Sequence, residues 1–176
     1  MSDWLTLNAM AALALVIPAA VIDIRQSTIP NGLTYPAILA GLLFGCIGLG
    51  QTDCMSAFLG FLLGFVPALF MFSLNGIGGG DVKLLGAVGA LFGYSDALPV
   101  FVYTIVAGTA LAIMILIWRG ELFQSLKAFG VMLFSFVAKG PKYIPVTHIH
   151  VPFAVAIAGG VIWHLLAGAM QKGIFQ

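Results

Sequence analysis

The chain has 176 residues, of which 61% are hydrophobic and 7% charged, and its mean hydropathy is +1.12. Soluble domains carry about 25% charged residues, so the composition excludes one and points to an integral membrane protein. A formal net charge of +1 and the lack of a dense basic stretch exclude a nucleic-acid partner.

The N-terminal stretch MSDWLTLNAMAALALVIPAAVID has no positive charge ahead of its apolar run, and the run leads into Asp23 where a cleavage site needs small residues. It is expected to be a retained first helix. Apolar segments follow one another at 4–24, 33–50, 56–75, 82–94, 97–118 and 150–171. The expected fold is therefore all-α, a polytopic helical membrane protein of about six transmembrane helices, with residues 1–176 as a single membrane-embedded domain. The fourth segment is short and glycine-rich. It is either a tightly packed helix extended by its neighbours or a partly re-entrant one. Segment 120–140 is apolar but carries Glu121, Gln124, Lys127 and Lys139. It reads as an amphipathic helix at the interface, within an interfacial region reaching about residue 148, with a seventh span as the alternative.

Short cytoplasmic loops carry an excess of lysine and arginine. With the N-terminus outside, Arg25, Lys83, Arg119, Lys127, Lys139 and Lys142 fall on the cytoplasmic side and only Lys172 on the other. Trp4 and Trp118 fall at expected helix ends, where indoles favour the headgroup layer. This orientation sets Asp23 and Asp81 at one cytoplasmic depth, on helix ends that a bundle can bring together. Ionisable side chains at such depth are costly and are by default a functional hypothesis; for either aspartate alone, a helix end reaching water or a partner for Arg25 or Lys83 is the plainer account. The remaining acids, Asp3, Asp53, Asp96 and Glu121, fall at the terminus, in expected loops or in the interfacial segment, where water solvates them.

Two neighbouring carboxylates in a poorly solvated site resist joint ionisation and share a proton. One then acts as base and the other as acid, which suits hydrolysis of a peptide by an activated water without a nucleophilic serine or cysteine. Gly76, Gly78, Gly79 and Gly80 precede Asp81 and leave room for an extended substrate backbone. A flexible interhelical turn, with small-residue packing at Gly86 and Gly89, is the plainer account of the same glycines.

These residues carry a family resemblance. Gly78-Gly79-Gly80-Asp81-Val82-Lys83-Leu84 resembles the Gly-x-Gly-Asp-x-Lys-Leu signature of the type IV prepilin peptidases, which are intramembrane aspartyl proteases. Asp23 followed by Ile29-Pro30-Asn31 is similar to that family's first motif. Pro152-Phe153-Ala154, with Ala156 and Gly159-Gly160 beyond it, looks like the family's proline-aromatic-small motif. The resemblance implies cleavage of the short basic leader of a type IV, Tad/Flp-like prepilin on the cytoplasmic side of the inner membrane. Asp23 and Asp81 match the catalytic aspartates, and Gly78 and Gly80 match the glycines before the second. Lys83, Pro30, Asn31 and Pro152 match motif positions expected to bind substrate or support the site. For Lys83, snorkelling to the interface explains the residue equally well.

Longer family members also methylate the new N-terminus and carry paired Cys-x-x-Cys zinc motifs. This chain has two cysteines and its aspartate already at position 23. It resembles the short branch serving Tad (Flp) pili, or the archaeal preflagellin-type peptidases, with no methyltransferase activity, metal or cofactor expected. Its expected partners are a prepilin helix, membrane lipid and pilus-assembly machinery.

Cys46 and Cys54 form neither a metal-type pair nor a disulfide framework and read as small buried or lipid-facing residues. His148 and His150, two apart, and His164 in the last span offer no third metal ligand. Pro18 and Pro67 fall inside expected helices, where neighbouring helices accommodate them. Three other classes fit less well. A proton-coupled transporter is expected to show internal repeats. A presenilin-like protease is expected to show Tyr-Asp and Pro-Ala-Leu, whereas here Ile22 precedes Asp23 and Phe153 follows Pro152. A non-catalytic scaffold would use the aspartates for helix contacts alone.

Overall fold

A computed structural model describes residues 7–48, 52–74, 76–125, 127 and 152–174, and nearly all of them are helical. Helix α1, Leu7–Gln26, stops at Ser27, whose positive φ of 54° is a left-handed cap and whose N–H donates to the Asp23 carbonyl at 2.8 Å. The connection to α2, Asn31–Ile47, is only a few residues long, and Pro30 forms its extended N-cap. Helix α2 ends at Gly48 in the left-handed region. Helix α3, Cys54–Ser73, starts at Asp53, whose side chain accepts a hydrogen bond from the Ser56 N–H at 3.1 Å. Helix α4 runs Gly79–Arg119 and is broken at Gly93, and α5 is Phe153–Ile174.

By length and composition α1, α3, α4 and the Phe153–Met170 part of α5 can each cross a membrane, while α2 is apolar but shorter. The fourth and fifth expected segments are the two limbs of α4. Their boundary lies at Gly93, with φ 71°, rather than at the polar Ser95 and Asp96. The amide freed by this break is satisfied: the Tyr94 N–H donates to Ser56 Oγ at 3.0 Å.

The first limb of α4 answers the question of the short glycine-rich segment. From Asp81 to Gly93 every side chain except that of Lys83 is buried. A limb of 14 residues, 79–92, rises only about 21 Å, less than the roughly 30 Å hydrocarbon layer. It is thus a central strut rather than a lipid-facing span. Leu84, Val88 and Leu91 from this limb pack with Leu15 and Val16 of α1 and Ile157 and Val161 of α5. Close approach depends on glycine. A Cβ on Gly60 or Gly64 of α3 would run into the backbone carbonyl of Gly89 or Leu85, and one on Gly41 of α2 would stand 2.8 Å from Ala90 Cβ. Gly60 and Gly64 are four apart on one face of α3, a small-residue pattern that the sequence reading passed over.

Pro18 and Pro67 lie inside α1 and α3 as expected. The cysteines do not follow expectation: Cys46 and Cys54 are joined in a disulfide. Of the described residues, those up to 108 together with those from 152 onward form one compact unit, and those from 109 to 127 belong to a second. In the latter, Trp118 near the end of α4 is 91% exposed, and the Lys127 ammonium lies 6.0 Å from the Phe123 ring centroid. Most of the interfacial segment, with Lys139, Lys142, His148 and His150, lies outside the described residues, as does Trp4.

Candidate active site

Asp81 is the third residue of α4, three positions after Gly78. The first N–H groups of a helix have no partner within it, and an acid at the third position can reach back to the residue that caps it. Asp81 does so: the Gly78 N–H donates to Asp81 Oδ2 at 3.2 Å, while the Gly78 carbonyl accepts from the Asp81 N–H at 3.1 Å. This reciprocal cap gives the Gly-x-Gly-Asp spacing a physical meaning. It fixes the carboxyl against the positive end of the helix dipole. The other oxygen, Oδ1, is buried and accepts no hydrogen bond from the described residues.

Asp23 reaches the same place from the C-terminal end of α1. It is 4% exposed, and its Oδ2 accepts a hydrogen bond from the Ala154 N–H at 3.1 Å. Ala154 is the second residue of α5, and Pro152 precedes the helix. The proline-aromatic-small motif therefore presents a helix N-terminus to the first aspartate. Asp23 and Asp81 are near enough for the charge of one to act on the other. Two carboxylates from distant parts of the chain thus lie within electrostatic range, each facing the N-terminal end of a helix.

The first two motifs also meet through packing. A Cβ on Gly80 would stand 2.9 Å from Ile29 Cβ, so glycine at 80 lets Ile29 seat against the start of α4. At Gly78 a Cβ would stand 3.1 Å from Asp81 Oδ2, against the capping carboxylate. Two positions past Asp81, the Lys83 ammonium donates to Asn31 Oδ1 at 2.6 Å and lies 4.7 Å from the Tyr35 ring centroid. Asn31 is the first residue of α2, directly after Pro30. Ile29, Pro30 and Asn31 therefore dock α2 on α4 beside the aspartates.

All eight site residues expected from the sequence lie at this one end of the bundle. Tyr35 was missed, and its place four residues after Asn31 on α2 was the signal that could have found it. The role of the Ala154 N–H was missed as well, since a backbone donor leaves no trace in residue type. Among the described residues no three His, Cys, Asp or Glu side chains converge as a metal site.

A model of the type IV leader peptidase family matches residues 10–113. A prepilin leader peptidase/N-methyltransferase of Neisseria gonorrhoeae is 33% identical over 136 residues, which is 73% of this chain and 46% of that protein. One from Burkholderia pseudomallei strain K96243 is 35% identical over 138 residues, 72% of this chain and 43% of its own length. The Myxococcus xanthus protein of that name is 27% identical over 120 residues. The chain thus spans less than half the length of these curated relatives. No solved structure matches it. The matched stretch contains both aspartates, the capped glycine turn and the Ile-Pro-Asn corner that docks on it, and the chain belongs to the type IV leader peptidase family.

Proposed function

We propose that this chain is a prepilin leader peptidase of the inner membrane, in which Asp23 and Asp81 form an acid–base pair that removes the basic leader of a type IV, Tad/Flp-like prepilin. The observation that carries this reading is the convergence of two buried carboxylates in a chain of the type IV leader peptidase family. The ionised carboxylate takes a proton from a water, the water oxygen attacks the scissile carbonyl, and the protonated partner supports the developing oxyanion. Collapse of the tetrahedral intermediate breaks the C–N bond, and the proton passes to the leaving amine. Asp81 Oδ1, which accepts no hydrogen bond from the described residues, suits the contact with water or substrate.

The other residues act on that pair. Gly78 and Gly80 hold Asp81 in its cap and against Ile29. Pro152 precedes the helix whose N–H orients Asp23, and Asn31, placed by the N-cap Pro30, tethers Lys83. Lys83 then stands beside the pair to tune it or to meet a substrate carbonyl. The chain supplies the peptidase part of the activity that its relatives' names pair with N-methylation, without metal or cofactor. Cleavage takes place on the cytoplasmic side, with the Leu7 end of α1 outside, and residues 120–148 meet lipid or pilus-assembly machinery.

The test is cleavage of a co-expressed Tad-type prepilin by wild type, Asp23→Asn and Asp81→Asn, read as a gel mobility shift. Asparagine keeps an oxygen for the Ala154 and Gly78 N–H groups, so both variants are expected to fold and melt like wild type. Each is expected to lose at least about a hundredfold in cleavage rate. A folded variant that still cuts at the wild-type rate would show that its aspartate is structural.

A further inference from the structure

We propose that the disulfide joining Cys46 and Cys54, at the end of the bundle away from the aspartates, lies on the outer side of the membrane and is made there by exchange with a disulfide oxidant of that compartment. The end of α2 and the start of α3 face one another, and the structure joins the two sulfurs with their Cα atoms 4.1 Å apart. Independent contacts build the same corner. Asp53 caps α3 through both its side chain and its carbonyl, which accept from the Ser56 and Ala57 N–H groups. A Cβ on Gly45 would stand 2.6 Å from Ala57 Cβ, so the two helices touch just before Cys46 and just after Cys54. Asn8, near the start of α1, donates to Thr52 Oγ1 at 3.3 Å and ties the first helix to this corner.

The aspartate site lies at the opposite end. Asn31, which holds Lys83, opens α2, and the 17 residues of that helix rise about 25 Å before the chain turns toward Cys54. Disulfides form and persist in oxidising compartments and are rare where glutathione keeps thiols reduced. A bonded pair at this corner therefore marks it as the outer end and leaves the aspartates on the cytoplasmic side. Both cysteines are exposed at helix ends, within reach of a soluble oxidant.

Formation balances by ordinary thiol–disulfide exchange. One cysteine thiolate attacks the oxidant's disulfide and displaces one of its sulfurs, giving a mixed disulfide. The second thiolate attacks the bound cysteine sulfur, forms the Cys46–Cys54 bond and displaces the other oxidant sulfur. Two electrons and the two thiol protons thus end on the oxidant as a dithiol.

The inference shares the orientation of the proposed function but not its chemistry, and the test keeps the two apart. Membranes from cells making the full chain are quenched in acid, denatured and treated with a polyethylene-glycol maleimide, with and without prior reduction. The expected result is a monomer that takes up no maleimide before reduction and two after it. Two adducts without reduction, or a disulfide-linked dimer on a non-reducing gel, would overturn the inference. Prepilin cleavage is read on the same membranes. A bonded pair without cleavage leaves the disulfide standing and sinks the peptidase reading, and free thiols with cleavage do the reverse.

Discussion

What an added methyl group would meet distinguishes Gly79 from Gly80. At Gly79 a Cβ would meet nothing nearer than the Phe72 ring at 3.6 Å, an ordinary contact, whereas at Gly80 it would press Ile29 Cβ at 2.9 Å. Alanine favours a helix over glycine by about 1 kcal/mol, so Gly79→Ala is expected to keep cleavage within about twofold and to melt no lower than wild type. Gly80→Ala pushes Ile29 and the Pro30-Asn31 corner away from α4. Displacements on the order of 1 Å at a catalytic constellation cost about a hundredfold in rate, and a loss of at least about tenfold is expected here. If the cause is the contact, Ile29→Ala in the same chain recovers most of that loss, as a double-mutant cycle of cleavage rates would measure. Equal activity of the Gly79 and Gly80 variants would remove the Ile29 contact from the account. The aspartates and the motif glycines were legible in the sequence because acids are rare in apolar chain and the glycines sit beside one. The contacts that explain them were not. Asn31 with Lys83, and Asp23 with the Ala154 N–H, pair residues 52 and 131 positions apart, and only the packing of α1, α2, α4 and α5 makes them neighbours.

At the scale of elements, apolar length and polar breaks located the helices but misjudged what separates two of them. Ser95 and Asp96 look like a loop, yet the backbone breaks at Gly93, where a positive φ suits glycine and a Cβ would crowd Thr52 and Ser56. The disulfide escaped notice for a related reason: Cys46 and Cys54 fall in separate apolar segments, and nothing local shows that those ends face each other. Packing of α3 on the first limb of α4 is the element-level feature most open to test. Gly60 and Gly89 meet backbone to backbone, so Gly60→Ala drives a methyl into the Gly89 carbonyl, which cannot rotate away. Overpacking of this kind costs about 1–3 kcal/mol, and the variant is expected to melt several degrees lower in detergent. Gly32→Ala is the control, since no atom of the described residues lies within 4 Å of its added Cβ. It is expected to melt at or above the wild-type temperature, and a Gly60 variant as stable as this control would mean that α3 and α4 are not in backbone contact.

For the whole molecule the open quantity is direction across the membrane. The aspartate end gathers Arg25 and Lys83, and the limb of α4 beyond Gly93 ends in Trp118 and Arg119. If the kinked α4 crosses twice, Arg119 returns to the side from which Asp81 started, and α5 crosses once more. Basic residues favour the cytoplasm, so a phosphatase that folds only outside is expected to be inactive when fused after Arg119 and active when fused after the end of α5. The reverse pattern would invert the protein and put the aspartates outside. Activity at both points would mean that residues 120–148 cross the membrane, whereas an interfacial segment leaves the chain on the side where it began. The fusion result also bears on the disulfide without repeating its test. Orientation read from enzyme activity and orientation read from thiol oxidation depend on different chemistry at opposite ends of α2. Agreement between them would fix the membrane direction of the bundle, and with it the side on which a substrate leader must lie to reach Asp23 and Asp81.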